Sequence, residues 1–154
     1  MLPAPHAHLI VPRLWLGDKE AALDTAFLKR EGITTVFNCT KDYPFSPAIQ
    51  RQYRVPVDDN LRKEELDNMQ AWAPEIVSKV LREYGLGNTI LVHCHAGRQR
   101  SAAVMAMTLL AKTRQSAEAA MAYIRQRRPV AFSPQANFDR SIRGFEADLK
   151  RARN

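Results

Sequence analysis

One stretch constrains the fold more than any other. Ile90-Leu91-Val92 is apolar and mostly β-branched, and it ends in His93-Cys94. His95-Ala96-Gly97-Arg98-Gln99 follow, and then Arg100-Ser101. Residues 102–111 are almost wholly apolar, which predicts a buried helix. This order runs a strand into a tight loop and the loop into a helix. Such a loop turns a row of backbone N–H groups, and the positive end of a helix dipole, towards one small volume. A dianionic phosphate fits that volume. Cys94 stands at its entrance, where the same groups stabilise a thiolate. Arg100 can return to the mouth of the loop and grip two phosphate oxygens as a fork. Taken alone, Cys94 reads equally well as a buried structural thiol at a strand end. Gly97, Arg100, Ser101 and the strand-to-helix setting favour the phosphate site.

The rest of the chain supplies a sheet for that strand. Residues 8–11 and 14–16 read as short strands joined by Pro12-Arg13. Asp18 or a neighbour caps a helix over 20–30, which Gly32 stops. The segment 33–39 is rich in β-branched residues and predicts a strand ending at Cys39. Pro56 makes 52–57 an edge strand or a strand end. A long helix over 64–83 carries Leu66, Met69, Trp72, Ile76, Val77 and Val80 at helical spacing, with Pro74 as a kink. Ser116 caps a helix that Arg128-Pro129 breaks. Ser133-Pro134 opens a last helix over 135–151, with Phe138, Ile142, Phe145 and Leu149 on one face. Strands alternating with helices predict an α/β fold, a largely parallel or mixed sheet covered on both sides. Ligands of such sheets sit beyond the carboxyl ends of the strands, where the Cys94 loop falls. No internal repeat or linker interrupts the pattern, so one domain over 1–154 is expected.

Composition narrows the class of function. A chain of 154 residues with 45% apolar content can bury a core without staples. No apolar run has the length of a membrane span. Two cysteines make no disulfide framework. A reducing, intracellular setting follows, cytoplasmic with the nucleus open, and a thiolate nucleophile suits it. The net charge of +7 attracts anionic partners, whether phosphoprotein, phosphoinositide or nucleic acid.

His93, Cys94, Arg100 and Ser101, with Gly97 inside the loop, resemble the signature of the cysteine-dependent protein phosphatases. The resemblance extends further. Ile10-Val11-Pro12-Arg13-Leu14-Trp15-Leu16-Gly17 is similar to the opening of dual-specificity phosphatase domains. Leu28 to Asn38, Val55-Pro56-Val57-Asp58-Asp59-Asn60, and Phe132-Ser133-Pro134 with Phe138 are similar to later segments. Nearly the whole chain is covered. The resemblance implies a four- or five-stranded, mostly parallel or mixed central sheet flanked by about six helices.

It also implies the chemistry. Cys94 attacks phosphorus and forms a phosphocysteine. Backbone N–H groups of residues 95–100 and the Arg100 guanidinium stabilise the charge, so no metal and no cofactor is called for. The family's general acid falls on Asp59, which protonates the leaving oxygen and then takes a proton from the attacking water. Asp58 is the substitute if Asp59 points away. Ser101 matches the hydroxyl that bonds the sulfur, and it also suits the N-cap of the next helix. His93 reads as a buried orienting group rather than a proton carrier. Gln135 lies near where relatives place a polar residue close to the site. In tensin-related phosphatases a cysteine placed like Cys39 traps the oxidised nucleophile as a disulfide.

The substrate stays broader. A shallow pocket accepting phosphotyrosine and phosphoserine or phosphothreonine in proteins is implied, since nothing here matches the segment that deepens the tyrosine-specific slot. His95 and Arg98 make the rim basic, which leaves open inositol lipids and phosphates, RNA 5′-phosphates or polyphosphorylated substrates; nucleic acid is not favoured. Lys41, Arg62 and Lys63 flank the expected pocket and either meet acidic residues around a phosphosite or are simply solvated. A catalytically inactive phosphate-binding module is the reading from another class. With Cys94, Arg100 and an acid all present, it is the weakest. The physiological substrate and the oligomeric state are not written in the sequence.

Overall fold

The structure, a computed structural model, describes residues 5–153. Five strands form one mixed sheet: β1 (Ala7–Val11), β2 (Leu14–Gly17), β3 (Thr35–Asn38), β4 (Arg51–Arg54) and β5 (Ile90–His93). Their spatial order is β1-β2-β5-β3-β4. Only β1 is antiparallel to its neighbour; β2, β5, β3 and β4 run parallel. Six helices complete the described residues: α1 (Lys19–Leu23), α2 (Thr25–Arg30), α3 (Lys63–Gly85), α4 (Arg100–Thr113), α5 (Ala117–Arg127) and α6 (Asp139–Arg153).

β5 is the middle strand, which explains its composition. It is covered on both faces, so all four of its residues are buried and three are apolar. Successive side chains leave opposite faces. Ile90 and Val92 join the core under α3, α4, α5 and α6, with Leu14, Leu16, Phe37, Met69 and Ile142. Leu91 faces the smaller core with Val36, Phe27 and Leu28 of α2, and Ala21 and Ala22 of α1. Each of the larger side chains contributes about 1.5–3 kcal/mol on leaving water. The strand that delivers Cys94 is therefore buried along its whole length.

Three elements differ from the sequence expectation. The helix expected over 20–30 is two helices. Asp24 divides them, because its carboxylate accepts from Phe27 N at 3.1 Å and starts α2 afresh. β4 stops at Arg54, ahead of Pro56, and forms the sheet edge opposite β1. The long helix expected over 64–83 is present as α3, which passes through Pro74. α6 begins at Asp139 rather than 135, because residues 133–137 are held as a loop by the side chain of Gln99.

Candidate active site

Parallel strands bring their carboxyl ends to one edge, and there the functional residues gather. Cys94 follows β5, residues 95–99 form the loop, and Arg100 begins α4. A cleft of about 560 Å³ opens over this loop. Cys94, His95, Ala96, Arg98, Gln99 and Arg100 line one side. Asp58, Asp59 and Asn60, from the segment between β4 and α3, line another, and Ser133, Pro134 and Asn137 a third.

The loop is built by turning its carbonyls outward. His95 O accepts from Lys19 N at 3.1 Å, at the start of α1. Ala96 O and Gly97 O accept from Arg128 Nη2 and Nε at 3.2 and 2.8 Å. Arg98 O accepts from Phe132 N at 2.7 Å. A trans peptide holds each N–H opposite to the preceding carbonyl. With four successive carbonyls bound on the outside, the N–H groups of residues 96–99 turn to the inside. That is the anion cradle the spacing predicts. Gly97 is required twice over. Its φ of +66° favours glycine, and an added Cβ would lie 2.5 Å from Gly17 O.

Arg128 was not foreseen. It reads in sequence as one more cation at a helix end, yet it is 2% exposed. Besides the loop carbonyls it donates to Pro5 O and meets His8 Nδ1, both at 3.0 Å. Burial lowers its pKa, and the neighbouring charge of Asp18 works against that. Its four partners come from two distant stretches of chain, 5–8 and 96–97, so no local pattern announces it.

Around the sulfur, Ser101 Oγ lies 3.1 Å from Cys94 Sγ. Ser101 is fully buried and is the second residue of α4; Gln99, not Ser101, is the helix N-cap. His93 is buried, with Nδ1 3.3 Å from the Cys94 carbonyl. Burial lowers its pKa from 6.5 to about 4. A ring held neutral in this way suits orientation rather than proton transfer. Arg100 donates from Nη1 to Val57 O at 3.0 Å, which ties the fork to the segment bearing the two aspartates. Its Nε has no partner among the described residues.

The two aspartates are held differently. Asp58 pairs with Lys41 at 3.1 Å, and its N–H donates to the Glu65 carboxylate at 2.8 Å. Lys41 also pairs with Glu65 at 3.0 Å. Asp59 is exposed and accepts from Asn137 Nδ2 at 2.9 Å. On the rim, His95 Nδ1 lies 2.6 Å from the Tyr43 hydroxyl, while Arg98 is exposed. Gln135 is exposed and contributes its carbonyl to Gln99; Asn137, two residues on, supplies the cleft wall instead. Cys39 is buried, one register step past the Asn38–His93 pair and level with Cys94. Burial pushes its thiol well above the usual value, and the charge of Cys94 adds to this.

A strand-to-helix anion cradle, a thiol at its base and a carboxylate across the cleft define a cysteine-dependent phosphatase site. The family pattern of the dual specificity phosphatase catalytic domain matches residues 14–148. The chain belongs to that family. It is 30% identical to human dual specificity protein phosphatase 4 over 141 residues, covering 91% of this chain and 34% of that protein. The chain thus spans about a third of that relative's length. Among solved structures it is similar to human DUSP28, with a TM-score of 0.84 and 28% identity over 97% of both chains. It is also similar to a mouse putative dual specificity phosphatase complexed with zinc tungstate, with a TM-score of 0.82 and 28% identity. That match covers 99% of this chain and 94% of the mouse chain.

Proposed function

We propose that the chain, acting as one catalytic domain, hydrolyses phosphomonoesters of phosphotyrosine and phosphoserine or phosphothreonine in proteins through a phosphocysteine. The observation that carries this reading is the loop of residues 95–99 with its carbonyls bound outward over Cys94. Its inward N–H groups and the Arg100 fork suit the three peripheral oxygens of a transferring phosphoryl group. Cys94 attacks phosphorus and the bond to the leaving oxygen breaks. Asp59 gives that oxygen a proton, then accepts one from the water that opens the phosphocysteine. The Ser101 hydroxyl donates to the sulfur as it departs. Asp58 is the weaker candidate acid, because its carboxylate is already paired with Lys41.

A polyphosphorylated substrate is a second reading, favoured by Arg98, exposed on the cleft wall and in no ion pair among the described residues. Turnover of tyrosine, serine and threonine phosphopeptides, set beside inositol phosphates and 5′-triphosphorylated RNA, tests the choice. Higher kcat/KM on the peptides supports the first reading. Preference for the polyanions, lost in Arg98→Ala, replaces it with the second. No turnover on any of them, or on p-nitrophenyl phosphate, leaves a binding module.

Cys39 enters as a redox partner. Peroxide converts the Cys94 thiolate to a sulfenic acid. The Cys39 thiol then attacks that sulfur, forming a disulfide and releasing water. Wild type should recover with added thiol after mild oxidation, and Cys39→Ser should recover less. Equal recovery, with no Cys39–Cys94 peptide by mass spectrometry, ends this role. A thiolate nucleophile also suits a reducing cytoplasmic or nuclear setting.

A further inference from the structure

Residues 133–137 touch both working parts of the cleft. Gln99 is buried, and its amide is fully used by this segment. Its Nε2 donates to Ser133 O at 3.2 Å and Gln135 O at 2.7 Å, and its Oε1 accepts from Asn137 N at 2.9 Å. The backbone of Asn137 is thereby fixed to the phosphate loop. From that anchor its side chain crosses the cleft and donates Nδ2–H to Asp59 Oδ1 at 2.9 Å. Among the described residues this is the only side-chain hydrogen bond that Asp59 makes.

We propose that Asn137 is a positioning residue for Asp59. It sets which carboxyl oxygen carries the catalytic proton and where that oxygen lies relative to the phosphate loop. This rests on the reading of Asp59 as the proton donor. An amide N–H can only donate, and the carbonyl oxygen of a carboxylic acid accepts far better than its hydroxyl oxygen, so the contact favours the proton on the other oxygen. With Asn137 on Oδ1, the acid form of Asp59 carries its proton on Oδ2. The Asp59 segment is exposed and has no regular structure of its own. A donor anchored through Gln99 registers that segment against the loop that holds the phosphoryl group. Geometry of this kind is what general acid catalysis needs.

The test compares two substrates of the full chain. Phenyl phosphate needs a proton on its leaving oxygen, and dinitrophenyl phosphate hardly does. Asn137→Ala should lower kcat on phenyl phosphate by roughly tenfold, about the worth of one hydrogen bond. KM should stay within about twofold, and the dinitrophenyl ester should be nearly unaffected. Asn137→Asp keeps the shape and the backbone bond to Gln99 but removes the donor. It should lose at least as much activity at an unchanged thermal midpoint, which separates positioning from folding. In an Asp59→Asn background, Asn137→Ala should cost nothing further. Equal losses on both esters, or losses that add fully to those of Asp59→Asn, overturn the proposal. If Asp59→Asn itself shows no leaving-group dependence, the general acid reading falls and this proposal falls with it. If it does and Asn137→Ala does not, only the role of Asn137 falls.

Discussion

The phosphate loop and the aspartate segment face each other across one cleft, yet they are held in opposite ways. The loop is a backbone device. Four of its carbonyls are bound from behind, its glycine is left-handed, and Cys94, Gly97, Gln99 and Ser101 are buried. The aspartate segment is a side-chain device. Asp59 and Asn60 are exposed, and the segment is tied by Glu65, Lys41 and Asn137 and by Arg100 on Val57 O. Charge stabilisation needs donors that do not move during the reaction, and buried backbone supplies them. Proton delivery must come from the open mouth of the cleft, and an exposed carboxylate held by side-chain bonds is placed for that. Buried backbone therefore forms the base of the cleft, and exposed side chains form its opposite wall.

The largest effect should come from the buried base. Cys94→Ser should abolish turnover while phosphate binding persists, since a hydroxyl is a far weaker nucleophile at neutral pH. Measurable kcat in that variant would show that the cradle serves another nucleophile. On the side-chain wall, Asp59→Asn should lower kcat by roughly 10²–10⁴, and by much less for esters with good leaving groups. Asp58→Asn should leave that leaving-group dependence intact. The reverse pattern would exchange their roles.

Arg128→Met comes next. It strands the carbonyls of Ala96, Gly97 and Pro5, so stability should fall on the order of 2–4 kcal/mol. Loop distortion should lower kcat/KM by up to about 10². Lost stability with kcat/KM unchanged would mean that the loop keeps its shape without Arg128.

The smallest effect concerns His93 and is read in stability alone. Its pKa in the folded chain is about 4, against an ordinary 6.5. The unfolded chain therefore binds more protons between about pH 4 and pH 6.5. The stability linked to the neutral ring is complete above that pH and is lost as pH falls through about 4, on the order of 3 kcal/mol in all. Urea unfolding of wild type and His93→Asn across that window should show a steeper acid decline in wild type. Parallel declines would mean the ring is hydrated.

The contrast between the two loops also explains what could be read from the sequence. Spacing encodes backbone devices, so β5, the loop and α4 were legible from Ile90 to Ala111. Edge strand β4 was signalled by Pro56, and the parallel sheet by the alternation of elements. Side-chain ties between distant segments leave no periodic trace. Arg128 on Ala96 and Gly97, Gln99 on residues 133–137, and Asn137 on Asp59 each join residues more than thirty positions apart. The break at Asp24 was local, and its capping chemistry was there to be read. The late start of α6 was not, because it depends on Gln99.

The central claim is that Cys94 carries the phosphoryl group. The most direct measurement is an acid-quenched turnover of Asp59→Asn with dinitrophenyl phosphate, followed by peptide mass spectrometry. That ester forms the phosphocysteine without help from an acid, and the missing base slows its hydrolysis, so the intermediate should accumulate. The predicted result is a phosphate adduct on the peptide containing Cys94, discharged to inorganic phosphate on longer incubation. Steady turnover with no phosphate on Cys94, or with the phosphate on another residue, would contradict the account.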